Sequence, residues 1–139
     1  MDTTEPTILV AITDIFFYTK VRDALKARYT LEKARTQQDI ADKTAASTPA
    51  AVLLNMNDLT LDAFQAIATL KANPQSRAIP ILAFANHEEV DTWNRAKELG
   101  VTKIVSRNEF SARTKELVAE LIATNSQPSA VSSELNADR

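Results

Sequence analysis

Between Pro49 and Asp58 the chain runs Ala50-Ala51-Val52-Leu53-Leu54 without a polar residue, then breaks into Asn55-Met56-Asn57-Asp58. A strand with one wet face would alternate. An uninterrupted apolar run this short reads instead as a strand covered on both faces, in the middle of a parallel sheet. In open parallel sheets, ligands and chemistry gather outside the carboxyl ends of the central strands. Asn55 is therefore placed where a site would lie, and an amide stands where chemistry would want a charge; it is expected to hydrogen-bond strand and loop backbone, with ligand binding as the alternative.

The rest of the chain alternates strand and helix around this run. Thr7–Ile12 predicts a first buried strand, with Thr13 or Asp14 as a helix cap after it. Apolar residues at helical spacing predict a helix over 15–28, and the alternating Tyr29–Ala34 an exposed edge strand. Thr36 to Asp39 opens a short alanine-rich helix to about Ala46, broken by Ser47-Thr48-Pro49. After the central strand, Leu61, Phe64, Ile67, Ala68 and Leu70 mark a third helix that Asn73-Pro74 ends. Ala78–Ala85 is a further buried strand with Pro80 near its start. Asn86 or His87 opens a helix to Leu99, stopped by Gly100 in a left-handed turn. Val101–Ser106 is the last strand, and Ser111 caps a final helix through Ala123. Five strand–helix units predict an α/β fold, a three-layer sandwich with helices on both faces of a parallel sheet. Residues 1–124 form the domain, and 125–139 are a polar tail expected to be disordered or a linker.

Composition narrows the function. The chain has 139 residues, 45% of them apolar, enough for one domain with one core. With no cysteine, disulfides, thiolate metal sites and a cysteine nucleophile are excluded, and the single glycine rules out a glycine-rich phosphate cradle. A net charge of −2 gives no generic attraction to nucleic acid or an anionic membrane. The local basic excess at Lys20, Arg22, Lys26, Arg28, Lys33 and Arg35 lacks interleaved aromatics and reads as a solvated face. No run is apolar enough to span a bilayer, and the polar start is unlike a signal peptide, so a cytoplasmic location is expected.

Five β/α units, the Ile79-Pro80-Ile81-Leu82 strand and the Leu99-Gly100-Val101 helix end together resemble the receiver domain of two-component response regulators, over roughly Thr7 to Ala123. The resemblance implies a flavodoxin-like sheet of order 2-1-3-4-5 and a place in bacterial two-component phosphorelay signalling. It also implies a phosphorylation pocket, in which Leu53-Leu54-Asn55 stands for the family's Leu-Leu-Asp, its phosphoacceptor replaced by an amide. Asp62-Ala63 stands for Asp-Gly. Ile12 and Thr13, with Asp14 just beyond, stand for the acid pair that holds Mg²⁺, an ion that wants hard, partly anionic oxygen ligands. Ala85 stands for the switch Ser or Thr, and Arg107-Asn108 for Lys-Pro, a swap that keeps the charge but widens the head.

With all of these positions altered, the chain resembles a pseudo-receiver: a non-enzymatic module, without metal or cofactor, that signals by protein–protein contact independent of phosphorylation. Asp14 and Arg107 are expected either to meet and fill the pocket, or to leave Asp14 simply capping its helix. Trp93, on a face of the fourth helix with Val90 and Leu99, is expected in the core, or else as a partner anchor. The resemblance implies an output or dimer face there, rimmed by Arg95, Lys97, Lys103, Arg113 and Glu116, for a signalling protein or a second copy of the chain. Too few residues follow the last helix for an output domain, so a stand-alone adaptor or part of a longer regulator is expected. His87 has no acid or nucleophile at motif spacing and reads as a surface residue. Two alternatives stay open: a receiver phosphorylated on a shifted acid, Asp14 or Asp58, and a small-molecule binder using the crevice of the flavodoxin-like sheet.

Overall fold

The computed structural model describes residues 5–126. Five strands and five helices alternate: β1 (Thr7–Ala11), α1 (Ile15–Leu25), β2 (Thr30–Lys33), α2 (Gln37–Ser47), β3 (Ala51–Asn55), α3 (Ala63–Ala72), β4 (Ile81–Ala85), α4 (Val90–Leu99), β5 (Lys103–Ser106) and α5 (Arg107–Ser126). All pairings are parallel and the order is β2-β1-β3-β4-β5, the topology expected from the sequence. β1, β3 and β4 are the central strands, and β3 and β4 are buried along their whole length.

Successive strand residues point to opposite faces, so each apolar run feeds two cores. Leu9, Ala11, Val52, Leu54, Ile81 and Ala83 pack under α2, α3 and α4, against Ile40, Ile67, Leu70 and Ala96. Ile8, Val10, Ala51, Leu53, Leu82 and Phe84 pack under α1 and α5, against Val21, Leu25, Phe110, Leu117 and Val118. Phe17, Phe84 and Phe110 interlock on this second face, with ring centroids 4.9 Å (Phe17–Phe84), 5.8 Å (Phe17–Phe110) and 4.4 Å (Phe84–Phe110) apart.

The helix starts follow capping chemistry, with two departures from expectation. Thr36 and Asp39 form a reciprocal capping box at α2, and Asp62 caps α3. Gly100 ends α4 at φ 108°, a backbone setting that disfavours a Cβ. α4, however, does not open at Asn86 or His87. Those residues lie in a turn in which the Glu89 N–H donates to the Asn86 carbonyl, and the helix begins at Val90. α5 does not open at Ser111 either. The Ser106 hydroxyl accepts from the Glu109 N–H, so a first helical segment starts at Arg107, directly off β5; Arg113 (φ −128°, ψ 30°) is non-helical and separates it from the segment that runs on to Ser126. α1 stops at Leu25, three residues short of expectation, because the Arg28 and Tyr29 N–H groups both turn back to the Leu25 carbonyl. The strand after Pro80 begins at Ile81, so Pro80 precedes the ladder, its carbonyl accepting from Val52. Asn125 and Ser126, placed in the tail by the sequence, belong to α5; the remainder of that tail lies outside the described residues.

Candidate functional site

At the carboxyl end of the sheet, a cleft of about 390 Å³ is lined by Thr13, Asp14, Asn55, Asn57, Asp58, Leu59, Thr60 and Arg107. Four of the six residues assigned to the degenerate pocket, Ile12, Thr13, Asp14 and Ala85, belong to β1, β4 or the loop after β1. Thr13 and Asp14 line the cleft, whereas Ile12 and Ala85 are fully buried beneath it. Asn55 and Arg107 line it from the end of β3 and the first residue of α5.

Asn55 is 3% exposed. Its Oδ1 accepts from the Asn57 N–H at 2.9 Å, an Asx-type turn that fixes the amide's orientation. Its Nδ2 has no hydrogen-bond partner among the described residues. Asn57 carries the network outward: its Nδ2 donates to Glu89 Oε1 at 2.7 Å and its Oδ1 accepts from the Asn86 N–H at 3.1 Å. Trp93 Nε1 donates in turn to the Asn86 carbonyl at 3.0 Å. A chain of hydrogen bonds thus runs from the end of β3 to α4, by way of Asn57 and Glu89, which the sequence analysis did not single out.

The two acids of the cleft are both engaged. Asp58 Oδ2 accepts from the Thr13 N–H, and Oδ1 from the Thr13 hydroxyl, each at 2.8 Å. Oδ1 also accepts from the Thr60 and Leu61 N–H groups at 2.9 Å. Burial by itself raises the Asp58 carboxyl. The Thr13 N–H, the Leu61 N–H, the Thr13 hydroxyl and the Thr60 N–H together outweigh it and hold the group below the usual carboxylate range. Asp14 Oδ1 accepts from the Phe16 and Phe17 N–H groups at 2.9 and 3.0 Å, capping α1.

Of the two expectations for Asp14, capping is the one realised. No ion pair joins Asp14 to Arg107 among the described residues. The Arg107 guanidinium lies instead over the Phe17 ring, 4.7 Å from its centroid, and 6.0 Å from that of Phe84. Helix N–H groups hold the carboxylate and aromatic faces hold the cation, so neither reaches for the other. The Arg107 guanidinium makes no hydrogen bond or ion pair among the described residues, so its N–H groups are available.

The donor set does not suit Mg²⁺. The ion wants near-octahedral oxygen coordination with carboxylate charge. Ile12 offers no oxygen, Asn55 no charge, both Asp58 oxygens are filled by N–H and O–H donors, and Asp14 is committed to its helix.

The residues assigned to an output face each make local contacts. Trp93 is half-buried against the core under α3 and α4, with Lys97 at 6.0 Å over its ring. Arg95 lies over Phe64 of α3 at 4.1 Å. Arg113 pairs with Glu109 and Glu120, each at 3.1 Å, along its own helix. Lys103 lines a groove with Glu120 and Leu121, while Glu116 lines another between α1 and α5 with Lys20 and Ser111. His87 is exposed, as expected of a surface residue. In the basic stretch, Arg22 and Lys26 both approach Asp23, and Lys33 sits over Tyr18.

No family model matches this sequence, and no curated protein matches it. Solved structures do match. The phosphorylated cyanobacterial phytochrome response regulator RcpA is similar at TM-score 0.76 and 16% identity, over 87% of this chain and 96% of that one. The receiver domain of a signal transduction histidine kinase from Syntrophus aciditrophicus is similar at TM-score 0.77 and 16% identity, over 95% and 99%. The receiver domain of a DNA-binding response regulator from Colwellia psychrerythraea is similar at TM-score 0.66 and 19% identity, over 83% and 99%. The fold is therefore the flavodoxin-like fold of response-regulator receiver domains. Among the described residues, no helix is long and apolar enough to cross a membrane.

Proposed function

We propose that this chain is a pseudo-receiver, a receiver-type module of bacterial two-component signalling that works in the cytoplasm by contact with a protein partner. It performs no catalysis of its own and takes no phosphoryl group on an aspartate. One observation carries this reading. Asp58, in the loop just after the position that matches the family's phosphoacceptor, is tied by hydrogen bonds to both the backbone and the hydroxyl of Thr13, while that position itself holds an amide. An amide is a poor nucleophile towards phosphorus, and a carboxylate with both oxygens engaged has little left to attack with. The charge in the pocket is then constant, and the domain stays in one state.

The same geometry weighs against phosphorylation on a shifted acid, since Asp14 and Asp58 are the two acids lining the cleft and both serve as backbone caps. The test is intact-mass spectrometry after incubation with acetyl phosphate and Mg²⁺. The mass is expected to stay unchanged. A stable gain of one phosphoryl group, lost in Asp58→Ala or Asp14→Ala, would establish the shifted-acid receiver instead.

A further inference from the structure

We propose that the cleft between Asn55 and Arg107 is a socket for a carboxylate side chain of a protein partner, with Phe16 and Leu59 gripping the apolar residues that flank that acid. The proposal rests on the unphosphorylated reading above and names what the partner must present.

The first observation is a buried donor with nothing to donate to. Asn55 is 97% removed from solvent and lines the cleft, its Oδ1 held by Asn57, so its Nδ2 has a set direction and no acceptor among the described residues. A buried polar hydrogen without a partner is destabilising, and an incoming acceptor recovers that cost. The second is a cation without an anion. Arg107 lines the same cleft and makes no ion pair among the described residues. In the β3–β4 register Asn55 lies opposite Phe84, the ring 6.0 Å from the Arg107 guanidinium, which brings amide and cation to the same face at the same sheet end. An N–H edge beside an amide N–H is a match for a carboxylate. Neither acid of the cleft pairs with Arg107 among the described residues: Asp58 accepts donors on both oxygens, and Asp14 caps α1 through Oδ1.

The third observation distinguishes a protein from a free anion. The large apolar side chains left exposed among the described residues are Ile15, Phe16, Leu59 and Val90. All four lie at the carboxyl end of the sheet: on the first turn of α1, on the loop after β3, and at the start of α4. Leu59, itself a lining residue, is 101% exposed, and Phe16, two residues from Asp14, is 84% exposed. Scattered apolar side chains need no explanation, but four of them at the sheet end that carries a polar cleft, one of them lining it, suit a protein interface. A lone phosphate or acetate would use the socket and leave these side chains wet.

The experiment pans phage-displayed random peptides on the full chain and titrates the selected peptides, synthesised free, into wild type, Arg107→Gln and Leu59→Ser. Leu59 is fully exposed, so its variant keeps the fold; urea melts check the Arg107 variant. Enriched peptides are expected to share a Glu or Asp flanked by Leu or Phe. Affinity should fall about 10- to 100-fold for Arg107→Gln, and equally when the peptide's acid becomes its amide. It should fall several-fold for Leu59→Ser. The proposal is overturned by no enrichment, by peptides lacking an acid, by unchanged affinity for the Arg107 or Leu59 variants, or by inorganic phosphate binding where no peptide does. A phosphoryl gain in the acetyl phosphate experiment would remove the parent reading and leave this titration standing. Failure of the titration with an unchanged mass would remove only the socket.

Discussion

Asp58 takes both hydrogens that Thr13 can offer, one from the backbone and one from the hydroxyl, each at 2.8 Å, across 45 positions of sequence. The loop after β1 is thereby fastened to the loop after β3. A carboxylate bonded to N–H and O–H groups holds the two loops together.

Asp58→Ala should destabilise the fold by about 2 kcal/mol, because four donors lose their acceptor at once. Thr13→Val removes only the hydroxyl bond and should cost about 1 kcal/mol. In the double variant the two costs should add to less than their sum, since they share one interaction. Urea unfolding of the four proteins measures this.

The same carboxylate should set an acid limit. Its folded pKa lies below its ordinary value of about 3.9, so its contribution is fully present above that value and disappears as pH falls through the folded one. The stability gap between wild type and Asp58→Asn should be constant above roughly pH 5 and shrink progressively below about pH 4. A gap that instead widened with acid would mean that Asp58 titrates upward on folding.

Asn55→Asp should not restore phosphorylation. The new acid would stand beside Asp58, whose oxygens face Thr13, Thr60 and Leu61, and above Ile12, which has no ligand atom. Incubation with acetyl phosphate and Mg²⁺ should leave the variant's mass unchanged. A phosphorylated variant would mean that a single atom separates this chain from an active receiver.

Glu89→Ala should loosen the start of α4. Asn57 and Asn86 side chains and the Thr92 hydroxyl all donate to Glu89. Their release should cost about 1 kcal/mol and free the turn whose Asn86 carbonyl holds Trp93 Nε1. Trp93 is the only tryptophan, so its fluorescence reports directly, and its emission should move to the red.

The sheet was legible because its central strands are apolar on both faces, and only a parallel, helix-covered sheet suits such runs. The start of α5 was not, although a signal was present. Ser106 and Glu109 have the spacing of a capping box, but the apolar period begins only at Phe110 and drew the cap to Ser111. Asp14 and Arg107 attract each other on paper. Nearby donors and aromatic faces, which a sequence does not display, claimed each of them first. The Asp58 clamp was half visible: Asp-Leu-Thr-Leu suggests an Asx turn on Thr60 and Leu61, whereas the reach to Thr13 needs the parallel register of β1 and β3.

Phe17, Phe84 and Phe110 come from α1, β4 and α5, and their rings interlock beneath Arg107. Close-packed aromatic rings resist sliding past one another, because any displacement opens a gap or forces a clash. A pull on that guanidinium is therefore shared by two helices and a strand together, and the second face of the molecule responds as a keystone does: it shifts whole or stays put.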